Sequence, residues 1–304
     1  MDLIDAGSSG RGWSWRESLL RCPQQFAYRH MLSFEEGSRE PLIKGSLVHT
    51  GLAHANAELV AEQHGLANTF LPWRDAIREQ ALREDQEIGY GDSWQKWGDL
   101  ATETVGAYLA QRERPHVVAV ETRINLWFDA NGELVEPPTD ANERLAMATD
   151  PRLALKGPPY LHTARIDVLE QDRYGRKILV DYKTCYRVDA RKRDGFALSG
   201  QILGLTLWGS HTYGHGFGGT VLQMLRLTDG RERFPRITPS PAHYALASFG
   251  KSVVESEERL ARLLTKDPME WTRVFSEQGP CMDRYGPCSY REICMTGSKI
   301  RLNP

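Results

Sequence analysis

The stretch from Ala164 to Gln201 constrains this chain more than any other. It reads Ala164-Arg165-Ile166-Asp167-Val168-Leu169, then Asp172-Arg173-Tyr174-Gly175-Arg176, then Ile178-Leu179-Val180-Asp181-Tyr182-Lys183-Thr184. Two short apolar runs separated by a polar, Gly-containing turn predict a β-hairpin, with strands at 163–170 and 177–184. Each run carries one aspartate. An unpaired buried carboxylate is costly, so a positive group must lie close by. Lys183 follows Asp181 by two residues, and strand alternation puts the two on one face. If the strands pair across 172–176, Asp167 and Asp181 approach one side of the sheet. An isolated Asp-x-Lys is most often a plain ion pair on a half-exposed strand. Two carboxylates beside an ammonium also suit phosphodiester hydrolysis. Carboxylates bind hard ions such as Mg²⁺ or Mn²⁺. Such an ion polarises phosphate and acidifies water, and an ammonium offsets charge in the transition state.

The rest of the chain supplies the frame. Ser14-Trp15-Arg16-Glu17 fits a capping box. Trp15, Leu19, Cys22 and Phe26 follow as one apolar stripe, with Cys22 inward as a core thiol. A second helix is predicted from Pro41–Ser46 to before Gly65, burying Val48, Leu52, Ala55 and Leu59, with His49 flanking that face. Helices at 72–87 and 94–112 form a helical insertion over 66–112. Residues 116–129 read as a strand or a bent strand pair, Asn131-Gly132 as a turn, and 135–160 as a loop with one short helix. After the hairpin come a loop with Arg187, Arg191, Lys192 and Arg193, and a helix at 197–210 with Leu198, Ile202, Leu205 and Trp208 on one side. A Gly-rich turn, a strand at 220–227, a helix at 240–265 and an irregular end complete the chain. The glycines of 211–219 lack the strand-to-helix context of a dinucleotide fingerprint. Helix, three strands, helix, strand is an α/β sheet covered by helices, expected as a single domain over 1–304.

A net charge of −2 gives no global attraction to nucleic acid. Contact with DNA therefore falls to a local patch. Arg187, Arg191, Lys192 and Arg193 are either such a phosphate-contact patch or a solvated loop. Trp15 suits core packing, and Trp13 and Trp15 also offer stacking faces for bases. No apolar run is long enough to span a membrane, and Met1–Gly10 has no apolar signal-like segment, so a cytoplasmic chain is expected. The five cysteines are odd in number, against a disulfide framework. Cys281, Cys288 and Cys294 crowd near the end and suggest metal ligation, while Cys185 reads as a buried thiol. Four thiolates accept Zn²⁺ or an iron–sulfur cluster, and spacing does not separate the two.

Taken in order, Gly45-Ser46-Leu47-Val48-His49, Arg165-Ile166-Asp167, Val180-Asp181-Tyr182-Lys183-Thr184 and Gln201 resemble the motifs of the PD-(D/E)XK nuclease superfamily. The RecB-type exonuclease branch, with its phage and CRISPR-associated members, is the most similar. The resemblance implies an αβββαβ restriction-endonuclease-like core with an N-terminal helical elaboration. It implies metal ligation of Mg²⁺ or Mn²⁺ by His49, Asp167, Asp181 and the Tyr182 carbonyl, and catalysis by Lys183 with Asp167, Asp181 and Gln201. Gln201 would position Lys183 or substrate. Glu121 is either an accessory acid or a surface residue. Cys22 in RCPQQFAYRHM, with the C-x6-C-x5-C segment within 275–304, resembles the branch in which one N-terminal and three C-terminal cysteines hold a [4Fe–4S] cluster. The chain departs from the pattern at Ala164, where a Gly is common, and at Leu205, where Q-x-x-x-Y has its Tyr. The implied activity is metal-dependent DNA exonuclease in processing, repair or recombination, in a bacterial or phage-infected cell. The implied partners are single-stranded DNA or DNA ends and a helicase, recombinase or CRISPR-type protein. A non-cutting DNA-binding subunit and a zinc-stapled domain are the rivals.

Overall fold

The turn between the two acidic strands sets the register of the site. In the computed structural model, Asp172 N–H donates to the Arg176 carbonyl at 2.9 Å. The Asp172 carboxylate accepts from the N–H groups of Tyr174 at 2.8 Å and Arg176 at 2.9 Å. Gly175 has φ +82°, which costs little without a Cβ. Clamped in this way, Gln171 faces Lys177 and the pairing runs to Val168↔Val180. Asp167 and Asp181 stand one position further along their strands.

The structure describes residues 11–34, 40–89, 91–229, 233–274, 281–283 and 286–296. In chain order the elements are α1 (Trp13–Arg21), α2 (Pro23–Phe26), α3 (Glu40–Gln63), α4 (Trp73–Ile88), α5 (Ser93–Gln111), β1 (His116–Phe128), β2 (Leu134–Val135), α6 (Ala141–Thr149), β3 (Tyr160–Gln171) and β4 (Lys177–Cys185). There follow α7 (Ala190–Ala197), α8 (Gly200–Tyr213), β5 (Phe217–Arg226), β6 (Arg236–Ile237), α9 (His243–Leu263), β7 (Met282–Asp283), β8 (Gly286–Pro287) and α10 (Arg291–Thr296). One sheet has the order β2-β1-β3-β4-β5-β6, with β4 and β5 parallel. Parallel neighbours need a crossover connection, and α7 and α8 provide it. The sequence α3, β1, β3, β4, α8, β5 is the expected αβββαβ core, with α4 and α5 inserted after α3.

The chain divides into two compact units, crossing from one to the other within β1 and β3. The unit that includes Ser38–Ile124 and Arg165–His243 packs Leu47, Val48 and Leu52 of α3, Ile77 of α4 and Val105 of α5 in one core with Val168, Val180 and Val221 of the sheet. All of these side chains are buried. At about 1.5–3 kcal/mol for each large apolar side chain, this core is what fixes β3 and β4.

The unit that includes Asn125–Ala164 and Tyr244 onward is built around a buried guanidinium. Arg16 donates from Nε to His162 Nδ1 at 3.0 Å and from Nη1 to Ser256 Oγ at 2.7 Å, and it hydrogen-bonds the Leu161 carbonyl. Its Nη2 lies 2.7 Å from Glu257 Oε1, and Arg11 Nη1 lies 3.3 Å from Glu257 Oε2. Two guanidiniums around one buried carboxylate satisfy the rule that interior charge must be paired. Burial holds the His162 pKa well below its ordinary value, and the Arg16 charge lowers it further.

Several expectations change. The helix that begins at Trp13 follows Gly12, and no side chain caps it, so Ser14 is an interior helical residue rather than the cap. The stripe through Cys22 is not one helix. Cys22 is extended, at φ −156° and ψ 106°, because a residue before proline is driven out of the helical region and Pro23 follows it. Leu19, Cys22 and Phe26 are buried nonetheless. Arg191, Lys192 and Arg193 lie on a short helix, α7, not in a loop. Leu198 is exposed, because Ser199 caps α8 and places Leu198 outside it. Among the described residues, no helix is long and apolar enough to cross a membrane.

Candidate active site

Lys183 is held on the sheet by a triangle of contacts. Its Nζ lies 2.9 Å from Asp181 Oδ2 and donates to Asp181 Oδ1 at 3.2 Å and to Gln201 Oε1 at 2.9 Å. Gln201 closes the triangle by donating Nε2–H to Asp181 Oδ1 at 2.6 Å. Gln201 lies in the first turn of α8, whose start is anchored where Ser199 Oγ accepts from Ile202 N–H. Alternation along β4 puts Asp181 and Lys183 on one face and turns Tyr182 to the other. There the Tyr182 ring is buried, and its hydroxyl accepts from Asn56 at 3.3 Å.

Asp167 completes the acidic pair. Its Oδ2 accepts the Tyr182 N–H at 2.8 Å and lies 3.6 Å from His49 Nδ1. His49 arrives from α3, and Gly45 sets how closely that helix approaches β4. A Cβ on Gly45 would come within 3.1 Å of Thr184 Oγ1, tighter than ordinary packing.

The electrostatics follow from burial. Asp181 is fully buried, and its Oδ2 has the Lys183 charge nearby but no hydrogen bond. Burial raises the Asp181 pKa, the Lys183 charge lowers it, and Asp167 raises it again. Burial likewise raises Asp167, against the pull of Lys183. Burial opposes the charge on Lys183, but Asp181 and Asp167 outweigh it and hold the ammonium above its usual pKa. Burial first and then the Lys183 charge lower His49 to about 4, so its ring is neutral near pH 7. A neutral imidazole is a competent metal ligand.

Glu121 is not a surface residue. It is buried, its φ is +49°, and its Oε2 lies 2.8 Å from Arg165 Nε. Sequence reasoning gave Arg165 no role. Its spacing of two from Asp167 on one strand was the available signal. Of the basic patch, Arg187 is exposed just past β4 and Arg193 is half-buried on α7. The side chains of Arg191 and Lys192 lie outside the described residues.

In the other unit, Cys22 is buried, and Cys281, Cys288 and Cys294 are half-buried free thiols. Burial raises the Cys288 pKa, the hydrogen bond with the Tyr290 backbone lowers it, and Cys294, Cys22 and Cys281 raise it again. Cys288 N–H donates to the Cys281 carbonyl at 3.0 Å. Cys185 is buried against Ile202, Leu222 and Met224, as a core thiol. Among the described residues, no three His, Cys, Asp or Glu side chains converge closely enough to hold a metal ion as they stand.

A sheet in αβββαβ order, with an Asp and an Asp-x-Lys on adjacent strands of a hairpin, is the architecture of PD-(D/E)XK nucleases. The sequence agrees: the profile of the PD-(D/E)XK nuclease superfamily matches residues 14–295. The chain belongs to that superfamily. Membership points to a nuclease, and enzymes of this kind typically use divalent metals and bind DNA. No curated protein matches the chain. Among solved structures, one titled "Crystal structure of SSO0001" is similar at 10% identity, over 82% of this chain and 96% of that one, with a TM-score of 0.30. That likeness is too slight to argue from.

Proposed function

We propose that this chain is a Mg²⁺- or Mn²⁺-dependent DNA exonuclease of the RecB type. The observation that carries the reading is the Asp181–Lys183–Gln201 triangle, closed at 2.6–3.2 Å beside Asp167 and His49. The donor set suits a hard divalent ion. Asp181 Oδ2 is buried without a hydrogen bond, and oxygen donors with a neutral imidazole are what such an ion accepts. His49, Asp167, Asp181 and the Tyr182 carbonyl would hold it once drawn closer together than they stand here. When bound, it supplies Lewis-acid polarisation of the phosphate and a more acidic water. Lys183, kept charged by its carboxylate neighbours, offsets negative charge as the phosphate passes through its transition state. Gln201 fixes the Lys183 Nζ and the Asp181 carboxylate relative to each other, so neither reorients during the reaction. Arg187, Arg191, Lys192 and Arg193 follow the active strand and suit contacts to the DNA backbone.

In this reading the whole of 1–304 serves one nuclease domain, with 66–112 as a helical insertion and 275–304 as its cysteine-rich segment. Cys22, Cys281, Cys288 and Cys294 hold a [4Fe–4S] cluster, with Zn²⁺ the alternative. Their donor type supports this, and the Cys288 N–H bond to the Cys281 carbonyl brings those two residues together. The cluster would cross-link the N-terminal and C-terminal segments and couple its binding to folding.

The test uses end-labelled linear DNA, single- and double-stranded, beside covalently closed single-stranded circles, each with Mn²⁺, Mg²⁺ or EDTA. The expected result is loss of linear DNA with metal only, with circles intact. Cut circles would overturn the exonuclease assignment. Tight DNA binding without cleavage in either metal would make the chain a non-cutting subunit. A brown sample whose colour is lost in Cys288→Ser supports the cluster, and a colourless zinc-containing sample refutes it.

A further inference from the structure

We infer that Arg165 contacts a phosphate of the bound nucleic-acid backbone and that Glu121 is the positioning residue holding its guanidinium. The inference rests on the nuclease reading above. Arg165 precedes Asp167 by two residues on β3, so the pleat puts both side chains on the face that carries the site. The Arg165 side chain is 31% exposed and that of Asp167 is 7% exposed. The guanidinium therefore sits at the rim, where a polyanion can reach it, while the carboxylate lies at the floor.

Glu121 supplies the independent observation. It is a non-glycine residue at φ +49° inside a strand, a strained conformation that concentrates at functional sites. The departure from a regular pleat accompanies a buried carboxylate placed 2.8 Å from Arg165 Nε. Lys183 is already shared with Asp181 and Gln201, so a phosphodiester entering beside two carboxylates gains from a further cation at the rim. Arginine suits that place. Its planar fork can engage a carboxylate along one edge and a phosphate along another, which a lysine cannot do.

The experiment compares the unmodified protein with Arg165→Ala, Arg165→Lys and Glu121→Gln. Affinity for a short labelled single-stranded oligonucleotide is measured in EDTA across a salt series, and cleavage kinetics are measured in Mn²⁺. For Arg165→Ala, the slope of log affinity against log salt should shrink by about 0.7, the loss of one phosphate contact on a single strand. Its KM should rise about tenfold or more, as for the loss of one charge-assisted hydrogen bond. Arg165→Lys should restore the salt slope without restoring KM. Glu121→Gln should keep the slope while kcat/KM falls. An unchanged slope and KM in Arg165→Ala, with only a lower melting temperature, reduces the pair to a structural ion pair and overturns the inference. If Arg165→Ala fails to fold, Arg165→Lys decides alone, an unchanged KM overturning the inference. An unmodified protein that neither binds nor cuts DNA defeats the nuclease reading itself. Cleavage by the unmodified protein, matched by Arg165→Ala, defeats only this inference.

Discussion

Replacing Lys183 with alanine tests the site on two scales at once. The ammonium lies 2.9 Å from a fully buried carboxylate. At an effective dielectric near 20, that separation corresponds to a gross attraction of roughly 6 kcal/mol. Desolvation cancels part of the gain in the intact protein, but removing one partner leaves Asp181 buried without its ion pair, which typically costs about 3–5 kcal/mol. At about 2 °C per kcal/mol for a chain of this size, the melting temperature should fall by roughly 6–10 °C in EDTA at pH 8. The loss should shrink as pH falls. Burial already raises the Asp181 and Asp167 pKa values, and without Lys183 they rise further. A carboxyl whose folded pKa exceeds its unfolded value takes up protons preferentially in the folded state, so acidification stabilises the variant relative to the parent. Cleavage in Mn²⁺ should fall by roughly 10²–10³, the usual cost of removing one preorganised charge stabiliser. The assay is a set of thermal melts from pH 5 to 8 beside DNA cleavage at fixed metal. A variant that melts with the parent at pH 8 and cuts as well would falsify both the buried pair and the active site.

Three further outcomes follow from the same geometry. Glu257→Ala strips the carboxylate from Arg16 and Arg11 and should cost about 3–5 kcal/mol in urea melts; a loss under about 1 kcal/mol would mean that the buried pairs contribute little. His162 is buried with its pKa far below normal. Below about pH 6.5 the unfolded chain takes up a proton that the folded chain refuses, so stability should fall by up to about 1.4 kcal/mol per pH unit as pH drops, and His162→Gln should flatten that slope. Gly45→Ala puts a methyl within 3.1 Å of Thr184 Oγ1, and overpacking of this kind costs about 1–3 kcal/mol. Cleavage should drop with it, and Thr184→Ala in the same chain should restore both, while an additive double variant would show that the two positions do not touch.

Much of the site was legible because its signals are local. Asp-x-Lys on a strand is a statement about a period of two, and the Asp172–Arg176 turn, with its side-chain clamp and Gly175, sets the register that aligns Asp167 with Asp181. The helical elaboration was legible for the same reason, since periodicity marks α4 and α5 directly. What failed were local signals outweighed by a neighbour. Ser14 resembles a cap but lies inside a helix that begins at Trp13. The apolar stripe through Cys22 is broken by Pro23. The basic run after β4 folds as α7 despite its charge.

The amino-acid sequence alone determined the α/β class, the hairpin, and the placement of Asp181 and Lys183 on one face of a strand, because covalent spacing and strand alternation carry that information. The tertiary structure decided which distant side chains join them. His49 reaches Asp167 only because Gly45 lets α3 approach β4. Gln201 ties Lys183 to Asp181 only because the start of α8 is fixed beside β4. Glu121 turns from an ambiguous acid into the holder of Arg165 only through a left-handed residue that no composition or period announces. Each of these depends on how close two packed elements come, and close approach is set by the volume and shape of the core between them.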